Sequence, residues 1–495
     1  MLSLLLLLFL IFLAAVWLLD QRRVSHGNLP PSVGFRFPVV GHLPYLSRDA
    51  HIDFARWGEK YGKLLHLWMG EKLVVVVNDY ELIKEAFKRE EFSGRPDMFL
   101  FNVTSENRTR GVILTEGAIW KYNRRFCLSS LRDMGMGRSS LESKILDEID
   151  ILLAAIEEKK QRAFDFSRLL DASIANVIGK VIFNQHFGYD DAEFTGVIAS
   201  IQTNIRIVGS AFALNFLPFL RIFSRLTRLS TVMENQEWHE TYFMDHIKKH
   251  REAFHDGRVN DFIDAHLLQQ ESCSKQPEQD AGPDVFNDIQ LRALIGELFS
   301  AGTDTTTTTL SWGLLYMMLH PHIQQHIQKE IDEQVGDNKR PSMSDMPKMP
   351  YTAATILEIQ RMANVVPLGV MHANNAGPAE LGGYTIPAGT TIFPNLYAVH
   401  TDPKLWPEPA AFRPERFLSL DGKVLIPEGF VPFSVGKRKC LGESLAKMEL
   451  FLFFTCLLQK FSFQLPDGAA QPDMKGVLGI TLTPKPYKLC AIRRS

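Results

Sequence analysis

The chain has 495 residues, 45% of them hydrophobic, enough to bury a large core and still enclose a cofactor. Its 54 basic side chains are balanced by 56 acidic ones, so it lacks the basic excess of nucleic-acid binding and no nucleic-acid partner is expected. The five cysteines, Cys127, Cys273, Cys440, Cys456 and Cys490, are widely spaced with no CxxC, which argues against a disulfide scaffold and for a reducing compartment.

Residues 2–19 are an almost uninterrupted run of Leu, Phe, Ile, Ala and Val. At about 1.5 Å per residue such a helix spans about 27 Å, the hydrocarbon thickness of the endoplasmic reticulum membrane. The run is longer than a signal-peptide core, no basic residue precedes it and no small-x-small cleavage site follows. Asp20, Arg22 and Arg23 come next, and positive charge on that side places the rest of the chain in the cytosol. The expectation is a transmembrane anchor over residues 1–20, a proline-containing linker over 21–45 and one globular domain over 46–495. The linker carries Pro30, Pro31 and Pro38, which fix φ and remove donors, so it reads as stiff and non-helical.

Residues 73–77 form a β-branched run that reads as a buried strand. Helical patterns dominate from about residue 80 to about 361 and are clearest at 141–159, 164–183 and 291–319. The polar stretch 271–283 reads as an exposed loop. Residues 382–393 change to short strands with Gly-Gly and Pro-Ala-Gly turns. A last helix is expected over 442–459 and a last strand over 487–492. The fold class is mostly α with a smaller β-rich part.

The most informative segment is Phe433-Ser-Val-Gly436-Lys-Arg438-Lys-Cys440-Leu-Gly442, a loop with glycines at two turning points, followed directly by an apolar helix. A helix N-terminus offers N–H groups and partial positive charge, which favour a thiolate and tune a metal bound to it. Phe433 is placed to shield the sulfur from water. Gly436 and Gly442 let backbone approach a flat macrocycle closely. Arg438 suits a cofactor carboxylate.

A second segment, Ala301-Gly302-Thr303-Asp304-Thr305-Thr306, lies inside the 291–319 pattern. Gly and consecutive Thr are poor helix formers, and Thr hydroxyls that bond back to the i−4 carbonyl bend a helix. The small Ala-Gly pair leaves room for a diatomic ligand. Asp304 and Thr305 offer an acid and an alcohol, the parts of a proton relay.

The cysteine loop resembles the haem-binding signature of the cytochrome P450 family, and its form FSxGKRxCxGE resembles the animal microsomal members. That resemblance implies the cytochrome P450 fold, haem b (iron protoporphyrin IX) and Cys440 as the proximal iron ligand, whose thiolate promotes O–O cleavage. The Thr-rich segment resembles the family's central helix motif, with Thr305 as the alcohol beside the oxygen site and Asp304 as its acid partner. Glu358-Ile-Gln-Arg361 resembles the family's ExxR, whose ion pair meets a later arginine, here Arg416. These three are fold-stabilising by that resemblance. Trp120, Arg124, Arg95 and His372 match positions near the haem propionates; the family usually has Pro before this histidine, and this chain has Met371. Substrate-facing residues carried over by position are Val112, Leu114, Ala301, Val366, Val370, Ile480 and Thr481. They are mostly apolar, which fits a lipophilic substrate such as a steroid, terpenoid, fatty acid or xenobiotic.

The resemblance implies insertion of one atom of O₂ into substrate, at the endoplasmic reticulum membrane with the catalytic domain facing the cytosol. No flavin or nicotinamide fingerprint occurs, so electrons must come from outside, from NADPH–cytochrome P450 reductase, with cytochrome b5 as a second donor. Arg125, Arg132, Lys437 and Lys439 are expected to form its basic docking patch. A haem-thiolate isomerase or dehydratase needs no acid–alcohol pair, so Asp304–Thr305 argues against that alternative. A non-catalytic haem ligand-binding protein is the other.

Overall fold

The computed structural model describes residues 28–105, 109–255, 257–275 and 285–494. The apolar run at residues 2–19, and the expected anchor with it, lies outside them. Among the described residues no helix is long and apolar enough to cross a membrane.

The expected strand forms at Lys72–Val77, and a second, Leu64–Met69, pairs with it antiparallel through the turn at Gly70. Lys72–Val77 runs parallel to Thr390–Pro394, with Val75 opposite Ile392, and His372–Asn374 closes the far edge antiparallel. Val74 and Val76 bury against one core cluster, Val75 and Val77 against another, so a continuous apolar run serves both faces of the sheet. The linker region is docked on this sheet: Ser32 bridges His66 and Gly41 bridges Met69.

The helical part is built around Asp288–Leu319, 32 residues and about 48 Å long. The Asn287 side chain accepts from the Gln290 N–H and starts it. Ser167–Ile182, Leu229–Ala253, Pro350–Ala363 and Glu443–Lys460 pack around it, and the largest core cluster is shared among these helices. The Glu443–Lys460 helix is buried on all sides from Met448 to Gln459, as an all-apolar helix must be.

One expected boundary changes, and one strand was not expected. Thr303, Thr305 and Thr309 donate to the carbonyls of Phe299, Ala301 and Thr305, the i−4 bonding expected of them, and the α-helix continues through Gly302 and the threonines. The polar loop expected at 271–283 begins later, because Phe262–Lys275 is helical; residues 276–284 lie outside the described ones. Strand Leu64–Met69 carries no β-branched residue and was not readable from propensity.

The Glu358–Arg361–Arg416 cluster forms as expected. Arg361 Nε lies 2.7 Å and Arg416 Nε 3.0 Å from the Glu358 carboxylate, with Glu358 and Arg361 fully buried. Arg361 also donates to the His400 carbonyl. His400 Nδ1 donates to Asn364 and Nε2 accepts from the Val431 N–H. Through this neutral histidine the ion pair holds the chain that leads into the cysteine loop.

Candidate functional site

The cysteine loop is fixed by backbone. The Cys440 N–H donates to the Phe433 carbonyl at 3.0 Å, and the Lys437 N–H to Phe87 at 3.0 Å. Gly436 has φ +78°, and a Cβ there would stand 2.1 Å from the Phe87 carbonyl oxygen, so only glycine fits. Phe433 is half-buried beside the loop. Gly442 caps the Glu443–Lys460 helix, and its N–H bonds the Cys440 sulfur.

The net effect on the thiol differs from expectation. Desolvation pushes Cys440 above its ordinary value, and Glu443 adds to the rise; the Gly442 N–H, Arg124 and Lys439 oppose it but do not win. The helix N-terminus therefore positions the sulfur, and a bound metal cation must supply the stabilisation of the thiolate.

Facing the loop, three guanidiniums converge. Arg438 donates to the Ser93 and Thr115 carbonyls at 3.0 and 2.7 Å and lies 3.9 Å from the Trp120 ring. Arg124 donates to the Lys439 carbonyl at 2.6 Å. Arg95 donates to the Ile113 and Met371 carbonyls at 2.8 and 2.7 Å and to Val370 at 3.3 Å. Burial and the neighbouring Arg95 and Arg124 pull Arg438 down to about 8, and burial takes Arg95 to about 10. Among the described residues Arg438 Nη1 and Trp120 Nε1 are buried without a hydrogen-bond partner. His372 is buried, stacks on Phe87 at 3.6 Å and has Nδ1 on the Phe92 carbonyl; burial, with Arg95 and Arg438 nearby, keeps it uncharged.

Sequence reasoning missed Glu297, one turn before Ala301. It is fully buried, and one of its oxygens accepts from the Val112 and Ile113 N–H groups at 2.5 and 2.9 Å. Burial raises it to about 7, against those N–H groups and Arg95. It thus fixes the backbone that presents Val112 and Leu114. Glu116, whose carboxylate accepts from Arg95 N and Asn375, was missed too. The signal for Glu297 was legible: a lone acid in an apolar helical run.

The structure therefore brings together Cys440, Arg438, Arg124, Arg95, Trp120, His372 and Phe433, with Val112, Leu114 and Val370 attached through these bonds. Ala301 is exposed and Val366 half-buried; Ile480 is exposed on a separate hairpin. Thr481 is buried and donates to Asp304 at 2.8 Å. Asp304 is bonded there, while the Thr305 hydroxyl donates to Ala301 at 2.8 Å.

Three guanidiniums exceed the carboxylates that act on them, Glu116 and a Glu297 only partly ionised near neutrality. The unpartnered Arg438 and Trp120 donors suit a buried anionic group, and the nearby Cys440 offers a sulfur ligand for a metal. Those requirements define the haem-thiolate class, and the residues present fit the group. The family model described as Cytochrome P450 matches residues 30–491. Cytochrome P450 18a1 of Drosophila melanogaster is 34% identical over 99% of this chain and 92% of its own length. Cytochrome P450 2U1 of Rattus norvegicus is 36% identical over 97% and 93%. Cytochrome P450 2D6 of Pan troglodytes is 37% identical over 98% and 97%. This chain belongs to the cytochrome P450 family and is a haem-thiolate monooxygenase.

Proposed function

We propose that this monooxygenase acts at the endoplasmic reticulum membrane, inserting one oxygen atom into a lipophilic substrate with electrons from NADPH through a reductase. The observation that carries it is the Cys440 loop joined to the three-arginine cluster. Haem b, when bound there, supplies oxygen activation through its iron. Arg95, Arg124, Arg438 and Trp120 would hold its carboxylates, and the Gly442 N–H would hold the sulfur. Val112, Leu114, Val366 and Val370 offer apolar surface to a steroid, terpenoid, fatty acid or xenobiotic. Burial raises the pKa of Asp304, which stands one residue from the Thr305 hydroxyl. Thr305 spends its own hydrogen on Ala301 and presents lone pairs.

Membrane association is supported by two segments that expose apolar side chains, 35–39 and 222–226. One carries Phe35 and Val39, 51% and 52% exposed; the other carries Ile222 and Leu226, 81% and 84% exposed. Together they would lie on lipid beside an anchor at residues 1–20. The docking face for the reductase comprises Arg125, Arg132, Lys437 and Lys439, with cytochrome b5 able to compete for it.

The test is the reduced carbon monoxide difference spectrum of the purified chain. A product screen with reductase and NADPH follows. A thiolate-type band that Cys440→Ser abolishes, with a hydroxylated product formed per NADPH, is expected. A Soret spectrum unaltered by Cys440→Ser overturns the ligand assignment, and NADPH turnover without any oxygenated product overturns the function.

A further inference from the structure

The turn between the strands Val477–Leu478 and Leu482–Thr483 holds Gly479, Ile480 and Thr481. Its two side chains part: Ile480 is 44% exposed, whereas Thr481 is 3% exposed. The Thr481 hydroxyl donates to Asp304 Oδ2 at 2.8 Å, across 177 residues of chain. Asp304 is itself buried, and among the described residues no other group bonds its carboxyl. A buried hydroxyl is costly unless bonded, and among the described residues Asp304 is the acceptor that Thr481 has.

The place of this hydroxyl is set without Asp304. The Gly479 N–H donates to the Thr481 carbonyl at 2.8 Å and tightens the turn. The next residue, Leu482, is gripped on both backbone groups. Its N–H donates to the Val365 carbonyl at 2.8 Å, and its carbonyl accepts from Trp312 Nε1 at 2.9 Å. Gly479 lies so close to the helix Ala192–Ser210 that a Cβ on Gly209 would stand 2.4 Å from its backbone. Contacts at Val365, Trp312 and Gly209 thus fix the turn, and the Asp304 side chain is the partner that the turn orients.

We propose that Thr481 is a positioning residue for the monooxygenase reaction: its hydroxyl holds the Asp304 carboxyl by Oδ2 and so orients the acid of the proton relay. This rests on the reading of Asp304 and Thr305 as that relay. Thr481 exchanges no proton. Its hydrogen stays on its own oxygen and points at Oδ2, which leaves Asp304 Oδ1 to take up and release the exchangeable proton. A donor on Oδ2 favours the carboxylate and opposes burial, which favours the acid. Burial is the largest influence on Asp304 and raises it, while Thr481 and the exposed Arg206 pull it down. Asp171, on the helix Ser167–Ile182, is raised by burial first and then by the charge of Asp304. Ile480 and Thr481 are neighbours on one turn, so the apolar side chain expected to face substrate and the holder of the acid share one backbone.

The test keeps this apart from the functional reading. In resting haem-loaded protein, the infrared carboxyl band that Asp304→Asn removes is titrated from about pH 4 to 9. Thr481→Val keeps the branched shape and removes the donor. It should raise the proton affinity of that carboxyl by on the order of tenfold. Thr481→Ser keeps the donor and should titrate as wild type. With reductase, product formed per NADPH should fall in Thr481→Val, with its pH profile moved to higher pH, and recover in Thr481→Ser. Should Thr481→Val fail to take up haem, Thr481→Ala is read in the same way. A variant without the hydroxyl that shows the wild-type carboxyl titration overturns the bond. One with the wild-type pH profile and coupling overturns its role in the reaction. A wild-type enzyme that forms no product sinks the monooxygenase reading instead, while the infrared titration still reports the bond.

Discussion

Glu297→Gln tests whether burial dominates the chemistry of the clamp on Val112 and Ile113. Glu297 is fully buried, and its carboxyl is raised from 4.5 to about 7 even though backbone N–H groups and Arg95 favour its charge. Desolvation therefore exceeds their combined pull. Because the folded-state pKa lies above the unfolded one, the folded chain holds this proton more tightly. Its stabilising contribution is complete below about pH 4.5 and is lost as the pH rises through 7. Linkage makes that loss about 2.5 kcal/mol between pH 5 and 8. Both N–H groups bond the same oxygen, so the amide carbonyl of glutamine can accept both while never ionising. The denaturant midpoint of the variant, followed by circular dichroism, should rise relative to wild type from pH 5 to pH 8 by that amount. A stability difference that stays flat over this range refutes the argument: Glu297 would then be ionised throughout and its bonds would outweigh burial.

Two further outcomes are expected. Gly436→Ala forces a Cβ to 2.1 Å from the Phe87 carbonyl at φ +78°, adding about 1–2 kcal/mol of left-handed strain to a backbone clash. Soret absorbance per chain should show lowered haem occupancy, and full occupancy would contradict the loop geometry. Lys437→Glu with Lys439→Glu should slow reduction by the reductase and weaken its salt dependence. These lysines pair with Glu90 at 3.4 Å and Glu443 at 2.6 Å on the surface, so stability should change by less than about 1 kcal/mol. Unaltered stopped-flow reduction would remove this surface from the docking face.

The fold was legible where periodicity ran long. The helices expected at 141–159, 164–183, 291–319 and 442–459 stand within three residues of the observed ends at Ser139–Glu157, Ser167–Ile182, Asp288–Leu319 and Glu443–Lys460. The cysteine loop was legible because glycine, arginine and cysteine each answer a separate physical demand within ten residues. What the sequence concealed is instructive for the same reason. Glu297 and Glu449 are each the single acid of an apolar stretch of helix, visible as an anomaly but mute about its partner. Tertiary contact decides what each one does: the Val112 and Ile113 N–H groups for Glu297 and the Thr306 hydroxyl for Glu449. Among the described residues Glu449 accepts only from Thr306, at 3.0 Å, and burial raises it to about 8. It is mostly neutral at pH 7, a hydrogen-bonding strut between the cysteine helix and the threonine helix. Two acids, each alone in an apolar stretch, thus become a loop clamp and a neutral brace. Their neighbours lie tens to hundreds of residues away in the chain, and only the assembled packing supplies them.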